Sequence, residues 1–165
     1  MYNSMKTSHI VILLFMLLLF LLRGTVAINI SESLPKGIYL KSDGGEPEPG
    51  SLVIFQNSLA DSMGTARGYI RRGASLGKRV AAVPGDTIRM GGGQPTEVNG
   101  RKAGRRALGW DSLGRPVDPI LFEGVVPEGK LLVLGETENS FDSRYYGFIA
   151  KAEVTGTLKP LFTWR

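Results

Sequence analysis

Short apolar runs bounded by turn-forming residues dominate the chain after its N-terminal segment. Gly, Pro, Asn and Asp flank these runs, and such residues terminate strands and form turns. The runs are "SLVIF" (51–55), "KRVAAV" (78–83), "DTIRM" (86–90), "KLLVLG" (130–135) and "VTGTLKPLF" (154–162). Residues 58–72 are compatible with a short helix, but no window carries an extended 3.6-residue apolar period. The pattern therefore predicts a mainly β fold built of short strands.

One long segment, residues 91–119, interrupts this pattern and predicts a loop excursion. Within it only "TEV" (96–98) has strand character, and the "NG" that follows is a favourable hairpin turn. Its four basic side chains have two interpretations, a solvated surface or a contact with anionic lipid headgroups or an acidic partner. They are Arg101, Lys102, Arg105 and Arg106.

The first 28 residues form a separate N-terminal segment. The 13 uncharged apolar residues from Ile10 to Leu22 have the length of a signal-peptide core, and "TVA" ending at Ala27 suits a cleavage site. Alternatively, if Arg23 extends its charge to the headgroups, the 21 residues from Ile10 to Ile30 are enough to span a bilayer. As a transmembrane anchor or as a cleaved signal, the segment predicts that residues 29–165 form one exported domain.

Composition limits the partners of that domain. The chain has 165 residues, 42% of them hydrophobic, which is enough for one core of ordinary size. Its net charge is +5, yet aromatic residues make up only 8% and neither a zinc-ligand set nor a ribonucleoprotein-type motif occurs. We therefore expect no direct nucleic acid binding, and a membrane surface explains the positive charge equally well.

Cysteine and histidine are the residue types whose scarcity narrows the chemistry most. The chain has no cysteine, which excludes disulfides and thiolate catalysis, and we expect no metal site and no cofactor. Its single histidine, His9, lies beside the apolar run. A hydrolase with this composition cannot use a Ser/His/Asp or Cys/His arrangement, so its base must be a lysine, a carboxylate or an amino terminus.

Two segments offer a nucleophile and a base of that kind. In "SESLPKG", Pro35 restricts Leu34 and Gly37 permits a tight turn, so Ser33 is either a constrained nucleophile or an ordinary turn hydroxyl. In "LGKRVAAVPGD", Lys78 begins an apolar strand. If it points outward it is an exposed ammonium, whereas if it points inward desolvation lowers its pKa towards that of a general base.

A third segment, "GETENSFDSRYYGFI" (135–149), is polar and aromatic. Ser140, Asp142, Ser143 and Arg144 are close enough in sequence to form a closed hydrogen-bonded set with a charge pair between Asp142 and Arg144. This set either braces the loop or uses Ser140 or Asp142 to orient Lys78.

In this order after an apolar N-terminal segment, the three segments resemble the signal peptidase I superfamily. "SLPKG" is similar to its serine box, "GKRVAAVPGD" to its lysine box and "NSFDSRYYG" to its late box. The serine box "SLPKGIY", the upstream "ARGYIRRG" and the small size resemble most closely the conjugal transfer, or TraF, branch, which acts on pilin precursors. That resemblance implies a mainly β, signal-peptidase-like catalytic domain with Ser33 as nucleophile, Lys78 as general base and Asp142 as the acidic residue that activity needs.

The resemblance also implies supporting residues. Ser140 matches a serine that holds the lysine, and Ser31 matches a position whose hydroxyl contributes to the oxyanion hole beside the backbone N–H of Ser33. Glu32 stands between them where typical bacterial enzymes have glycine. Arg144 is expected to support the site as the partner of Asp142.

The partners and location implied by the branch are specific. They are a pilin precursor polypeptide, the inner membrane with the catalytic domain in the periplasm, and other components of a conjugative type IV secretion system. The branch also implies cyclisation of the cleaved pilin. The chain lacks the large second domain of many housekeeping signal peptidases, and residues 91–119 are at most a reduced version of it.

Three other functions remain open from the sequence. A general leader peptidase or a self-cleaving repressor-type Ser/Lys protease would use the same chemistry, although the N-terminal apolar segment disfavours the repressor. A non-enzymatic anchored β domain that binds an extended peptide at a sheet edge is the third.

Overall fold

The computed structural model describes residues 8–17 and 24–164. Residues 8–17 are helical (α1) and their side chains are exposed. Among the described residues, no helix is both long enough and apolar enough to cross a bilayer. The rest of the apolar run, residues 18–22, lies outside the described residues, as does Arg23.

Antiparallel strands are the main regular secondary structure of the described chain, and the prediction of a mainly β protein is confirmed. The strands are β1 (Val26–Asn29), β2 (Lys36–Ser42), β3 (Leu52–Phe55), β4 (Leu76–Ala82), β5 (Thr87–Gly91), β6 (Gln94–Val98), β7 (Arg101–Arg106), β8 (Phe122–Val125), β9 (Lys130–Leu134), β10 (Ile149–Ala150) and β11 (Val154–Trp164). Helix α2 spans Ser58–Ala66, α3 spans Ser143–Tyr146, and a 3-10 turn spans Lys151–Glu153.

The strands form two sheets that share a core around β9. The larger sheet has the order β1-β2-β11-β3-β4-β9-β10 and the smaller one β7-β6-β5-β8. Val133 of β9 packs with Val53 and Phe55 of the larger sheet, while Leu132 packs with Ile88 and Met90 of the smaller one. Because its neighbouring side chains point to opposite faces, β9 joins the two sheets, and its continuous apolar sequence is explained by burial on both faces.

Residues 94–106 form the hairpin of β6 and β7, so the predicted loop excursion was wrong for β7, whereas the strand character predicted for "TEV" (96–98) is confirmed within β6. Its "NG" turn is confirmed, since Asn99 and Gly100 both have positive φ angles, 51° and 72°, as a tight two-residue hairpin turn requires. Strand β7 was not predicted because "RKAGRR" lacks apolar alternation, and the strand forms through backbone pairing to β6. Its four basic side chains are exposed.

Helix α2 lies within the stretch that was compatible with a helix. The side chain of Asn57 caps its N-terminus by accepting a hydrogen bond from the Ala60 amide at 2.8 Å. The helix ends before Gly68, whose φ of 71° is outside the helical region. The residues that follow it, Arg67 to Ile70, line the candidate site described below.

Candidate active site

Strand β4 directs Lys78 into the protein interior. Side chains along the strand alternate between faces, and Lys78 shares the buried face with Val80 and Ala82. Lys78 is only 3% exposed, in register with Val53 of β3. The inward orientation that the sequence left open is therefore the one adopted.

Ser33 lies in the turn that joins β1 to β2. Leu34 beside it is buried against Tyr39 and Leu158, which anchors the turn in the core. The Ser33 carbonyl accepts a hydrogen bond from the Glu136 amide at 2.9 Å, so the turn is also tied to the loop after β9. These contacts hold the Ser33 Oγ 2.6 Å from the Lys78 Nζ.

Ser140 completes a triangle of polar atoms with these two residues. Its Oγ lies 2.9 Å from the Lys78 Nζ and 3.1 Å from the Ser33 Oγ, and the side chain is buried. Two hydroxyls therefore fix the direction of the amine. Of the two residues that the sequence offered for orienting Lys78, the structure places Ser140 in contact with it.

Burial is the main influence on the charge of Lys78. Desolvation lowers its pKa from 10.5 to about 8, and the positive charge of Arg144 acts in the same direction. The carboxylate of Asp142 partly opposes both effects. A substantial fraction of this amine is thus neutral near physiological pH, and a neutral amine accepts the hydroxyl proton that an ammonium cannot.

Asp142 and Arg144 form a buried ion pair behind the triangle. Their side chains are 0% and 1% exposed, and the guanidinium donates to both carboxylate oxygens at 2.7 and 2.8 Å. The Gly135 amide donates to the same carboxylate at 2.8 Å. Among the described residues, the partners of Asp142 are therefore in its own loop and at the end of β9, and it bonds to neither Lys78 nor Ser33.

Arg144 extends this bracing to the neighbouring loop and strand. It donates to the carbonyls of Thr137 and Ser140 at 2.9 and 3.2 Å, and to that of Arg106 in β7 at 2.8 Å. Since the Ser140 carbonyl is fixed in this way, the ion pair determines where the Ser140 hydroxyl lies. Removing one charge of such a pair would leave the other buried and uncompensated, at a cost of about 3–5 kcal/mol.

Ser31 lies at the same site but is bonded elsewhere. Its hydroxyl donates to the Asn29 Oδ1 at 2.7 Å, and the Asn29 amide group donates to the carbonyls of Ser31, Leu34 and Pro35. Asn29 thereby braces the turn that carries Ser33, a role that sequence reasoning missed. The Ser33 amide, within the described part of the chain, donates no hydrogen bond.

A groove of about 620 Å³ contains Ser33 and Lys78. Its walls come from β1, the segment after α2, β4 and the loop at residues 109–117. Sequence reasoning missed its aromatic and polar lining, in particular Tyr69, Trp110, Asp111 and Phe141. The turn chemistry of "DSLG" (111–114) was the available sign, whereas the contact between Asp111 and Tyr69 depends on the tertiary structure.

These residues are arranged for acyl transfer. A neutral Lys78 amine at this distance can accept the proton of the Ser33 hydroxyl and so make Ser33 a nucleophile. Within the described part of the chain, the Ser33 amide donates no hydrogen bond and is free to bind a substrate oxygen. The groove beside them, about 620 Å³ in volume, is open to solvent.

Comparison with known proteins gives consistent matches. The family model described as signal peptidase, peptidase S26, matches residues 1–164. A conjugal transfer protein TraF from Agrobacterium fabrum is 30% identical over 156 residues, which cover 86% of this chain and 84% of that protein. A plasmid transfer protein TraF from Escherichia coli is 29% identical over 148 residues, covering 83% of this chain and 82% of that protein.

A relative named as a signal peptidase matches over a shorter region. A probable signal peptidase I-2 from Synechocystis is 29% identical over 112 residues, which cover 67% of this chain but only 46% of that protein. The match to the TraF proteins therefore extends over most of both chains, whereas the match to this signal peptidase leaves more than half of it unmatched.

Proposed function

The chain belongs to the signal peptidase family, peptidase S26, and on that basis we propose that it is a serine endopeptidase of a conjugal transfer system that cuts a pilin precursor. The observation that carries the proposal is the 2.6 Å contact between the Ser33 Oγ and a buried Lys78 whose pKa is lowered to about 8. The TraF relatives support the conjugal setting.

The proposed reaction begins with proton transfer from Ser33 to Lys78. The Ser33 Oγ attacks the scissile carbonyl carbon, and the backbone N–H of Ser33 stabilises the oxyanion. Lys78 then gives the proton to the departing amine, and an acyl ester on Ser33 remains. Ser31 contributes to the oxyanion hole if its hydroxyl turns away from Asn29.

The acyl ester can react with either of two nucleophiles at the same site. Attack by water releases a linear carboxylic acid and restores Ser33, whereas attack by the amino terminus of the same pilin gives a cyclic amide. In both cases the attacking group loses one proton, which Lys78 accepts and passes to the Ser33 Oγ as the acyl–oxygen bond breaks. Ser140 orients Lys78, and the Asp142–Arg144 pair positions Ser140.

The proposed location is the inner membrane, with the catalytic domain in the periplasm. One face of β1, β2 and β11 carries exposed apolar side chains, among them Ile28, Leu40 and Phe162, and β1 begins at Val26, four residues after the apolar run. Cleavage after Ala27 would remove half of β1, which pairs with β2, so we favour the N-terminal segment as a retained anchor. The proposed partners are the pilin precursor, the membrane and other components of the transfer system.

Cleavage of a purified pilin precursor by the full chain in lipid nanodiscs tests the function. Ser33→Ala and Lys78→Ala should each lower the rate by at least about 1,000-fold. The controls are Ser112→Ala, an exposed serine in the same groove, and Lys102→Ala, an exposed lysine on β7, and both should retain the wild-type rate. Processing at normal rates by both dyad variants would rule out the dyad.

Product mass and substrate choice complete the test. A cyclic pilin is lighter than the cleaved linear product by one water, so mass spectrometry separates the two outcomes. A secretory leader-peptide precursor is the comparison substrate, and preferential cleavage of that substrate would favour a general leader peptidase.

A further inference from the structure

The loop at residues 109–117 presents two large apolar side chains to the groove that contains Ser33. Trp110 and Leu113 line this groove, and they are 59% and 73% exposed. Exposure of two bulky apolar groups on one short loop leaves apolar area in water unless something covers it. Their place in the same groove as the Ser33–Lys78 pair makes the substrate polypeptide the occupant that fits.

The loop is rigidly closed around the carboxylate of Asp111. Its two ends are joined by a backbone hydrogen bond from Val117 to Gly109 at 3.1 Å and by a bridge between Trp110 and Pro116. Inside the loop, Asp111 accepts hydrogen bonds from the amides of Leu113 and Arg115, each at 2.9 Å. These bonds determine the direction in which the Trp110 and Leu113 side chains leave the loop.

The same carboxylate joins the loop to the segment after α2 through Tyr69 and Arg67, and we call these contacts the Asp111 clasp. The Tyr69 hydroxyl donates to Asp111 at 2.7 Å, and the Arg67 guanidinium lies 3.5 Å from it. Arg67 also donates to the Pro116 carbonyl at 2.7 Å, and Arg115 donates back to the Arg67 carbonyl at 2.8 Å. Partial burial acts to raise the pKa of Asp111, but the hydrogen bonds from Tyr69 and Arg115 hold it well below its usual range.

The clasp keeps the groove open and apolar across from β1. Ile28 and Ile30 line the groove from the β1 side and are also largely exposed. Phe141 packs edge-on against Tyr69 with ring centroids 5.3 Å apart, so the clasp also rests on the aromatic residues of the late loop. A polypeptide that reaches Ser33 therefore meets two sets of exposed apolar side chains, one of which stands on the loop that the Asp111 clasp holds.

We propose that Trp110 and Leu113 form a specificity wall that selects polypeptides with a bulky apolar side chain close to the scissile bond, and that Asp111 is the positioning residue that holds this wall. The inference rests on the proposed peptidase function and adds the substrate class. Asp111 acts through the loop and has no contact with Ser33 or Lys78 among the described residues.

Kinetics with matched peptides test the wall. The peptides are a precursor-derived sequence around the cut and variants in which each bulky apolar residue is replaced by alanine. Trp110→Ala and Leu113→Ala should each lower kcat/KM for the parent peptide by about 10-fold, through KM with kcat within about twofold. For one alanine peptide the loss should vanish, because the side chain that met the wall is already absent.

The matched control is Leu121→Ala, since Leu121 is an apolar residue that is more exposed than Trp110 or Leu113 and does not line the groove. It should leave kcat/KM unchanged for every peptide. Asp111→Asn should raise KM as the wall variants do, and Tyr69→Phe, which removes one hydrogen bond and retains the ring, should give a smaller rise. A uniform fall in kcat for all peptides in the wall variants would overturn the proposal.

Fluorescence separates failure of the wall from failure of the peptidase. Trp110 is the single tryptophan of the Ser33→Ala/Trp164→Phe protein. Its emission should shift to the blue when the parent peptide binds, while the emission of Trp164 in a Ser33→Ala/Trp110→Phe protein should not shift.

If the wild type cuts the peptide but the Trp110 emission does not shift and the wall variants cut normally, the wall is wrong. If Trp110 responds but the wild type does not cut, the peptidase function is wrong and the wall stands.

Discussion

At the scale of single residues, the burial of Lys78 lowers the stability of the folded protein while it favours the neutral amine that the proposed reaction needs. It is placed on the inward face of β4 between apolar neighbours, where water solvates its charge poorly. Two serine hydroxyls are its only hydrogen-bond partners among the described residues, and no carboxylate pairs with it directly. The arrangement favours the neutral amine, which is the form that the proposed reaction requires.

The pH dependence of cleavage follows from this residue. The rate should rise with pH through about 8, the pKa of Lys78, and level off above it, because only the deprotonated amine acts as base. Initial rates of peptide cleavage over a range of about pH 6 to 10 provide the measurement, with circular dichroism at each pH as the check on folding. A profile that is flat across this range would contradict a lysine base.

The stability of Lys78→Met should differ from wild type in a pH-dependent way. Because the folded-state pKa of about 8 lies below the ordinary value of 10.5, the unfolded state binds more protons between these values. The penalty on the folded protein is therefore complete below about pH 8 and disappears as the pH approaches 10.5, and it is on the order of 3 kcal/mol. The inactive Lys78→Met protein should be more stable than wild type at neutral pH.

Urea unfolding at neutral and at alkaline pH measures this effect. The difference in unfolding free energy between Lys78→Met and wild type should shrink as the pH rises, because the desolvation penalty exists only while the Lys78 amine is protonated. Lys102→Met, at an exposed lysine on β7, is the matched control and should leave the unfolding free energy unchanged. A Lys78→Met protein that is less stable than wild type at neutral pH would contradict the desolvation argument.

At the scale of elements, the end of β9 determines where the late loop lies. Gly135 follows β9 directly, and its amide donates to Asp142 while its missing side chain leaves room for Ser140. A Cβ at this position would lie 1.9 Å from the Ser140 Oγ and 2.5 Å from its Cβ. The close approach of the β9 end to Ser140 thus requires glycine, for steric reasons rather than for its backbone freedom.

Gly135→Ala should therefore impair catalysis without altering the dyad residues themselves. The added methyl group displaces Ser140 and breaks its 2.9 Å contact with Lys78, so we expect kcat to fall by about 10-fold or more. Combined with Ser140→Gly, the substitution should have little further effect, because the atoms it displaces are absent. Gly44→Ala is the control, since a Cβ there meets nothing within 4 Å. Wild-type kcat in Gly135→Ala would show that the position of Ser140 is unimportant.

At the scale of the whole molecule, the larger sheet has an apolar outer face at its β1 edge. Cross-strand pairing places Ile28 and Phe162 beside Ile38 on the same face, and Trp164 packs near Phe162 with ring centroids 6.0 Å apart. Ile28, Phe162 and Trp164 are all exposed. Tryptophan at the margin of an apolar surface is typical of the membrane–water interface.

Contact of this face with lipid is the corresponding prediction. In a Trp110→Phe protein reconstituted into bilayers, brominated lipids should quench Trp164 strongly. A tryptophan introduced by Val125→Trp on the smaller sheet, with both native tryptophans replaced by phenylalanine, should be quenched weakly. Phe162→Ser with Trp164→Ser should slow cleavage of a membrane-inserted precursor but not of a soluble peptide. Equal quenching at the two positions would contradict the orientation.

The sequence by itself determined the class of the fold and the chemistry available to it. Apolar alternation and turn residues located β3, β4, β5, β9 and β11, because these signals are local and act within a few residues. The absence of cysteine and the single histidine beside the apolar run left a lysine, a carboxylate or an amino terminus as the candidate base, and Leu34-Pro35 favoured Ser33 over Ser31 as the candidate nucleophile. Strand β7 escaped prediction because its stability comes from a partner strand rather than from its own side chains.

The tertiary structure alone decided which of these groups meet. Lys78 and Ser33 are 45 positions apart, and their contact depends on the register of β4 with β3 and on the turn held by Asn29 and Glu136. The tertiary structure also decided that Ser140, and not Asp142, contacts Lys78. It likewise decided that the Tyr69 hydroxyl bonds to Asp111, which is 42 positions away. Local propensity specifies strands and turns, but distances between remote side chains are set by strand register and core packing, which exist only once the whole chain has folded.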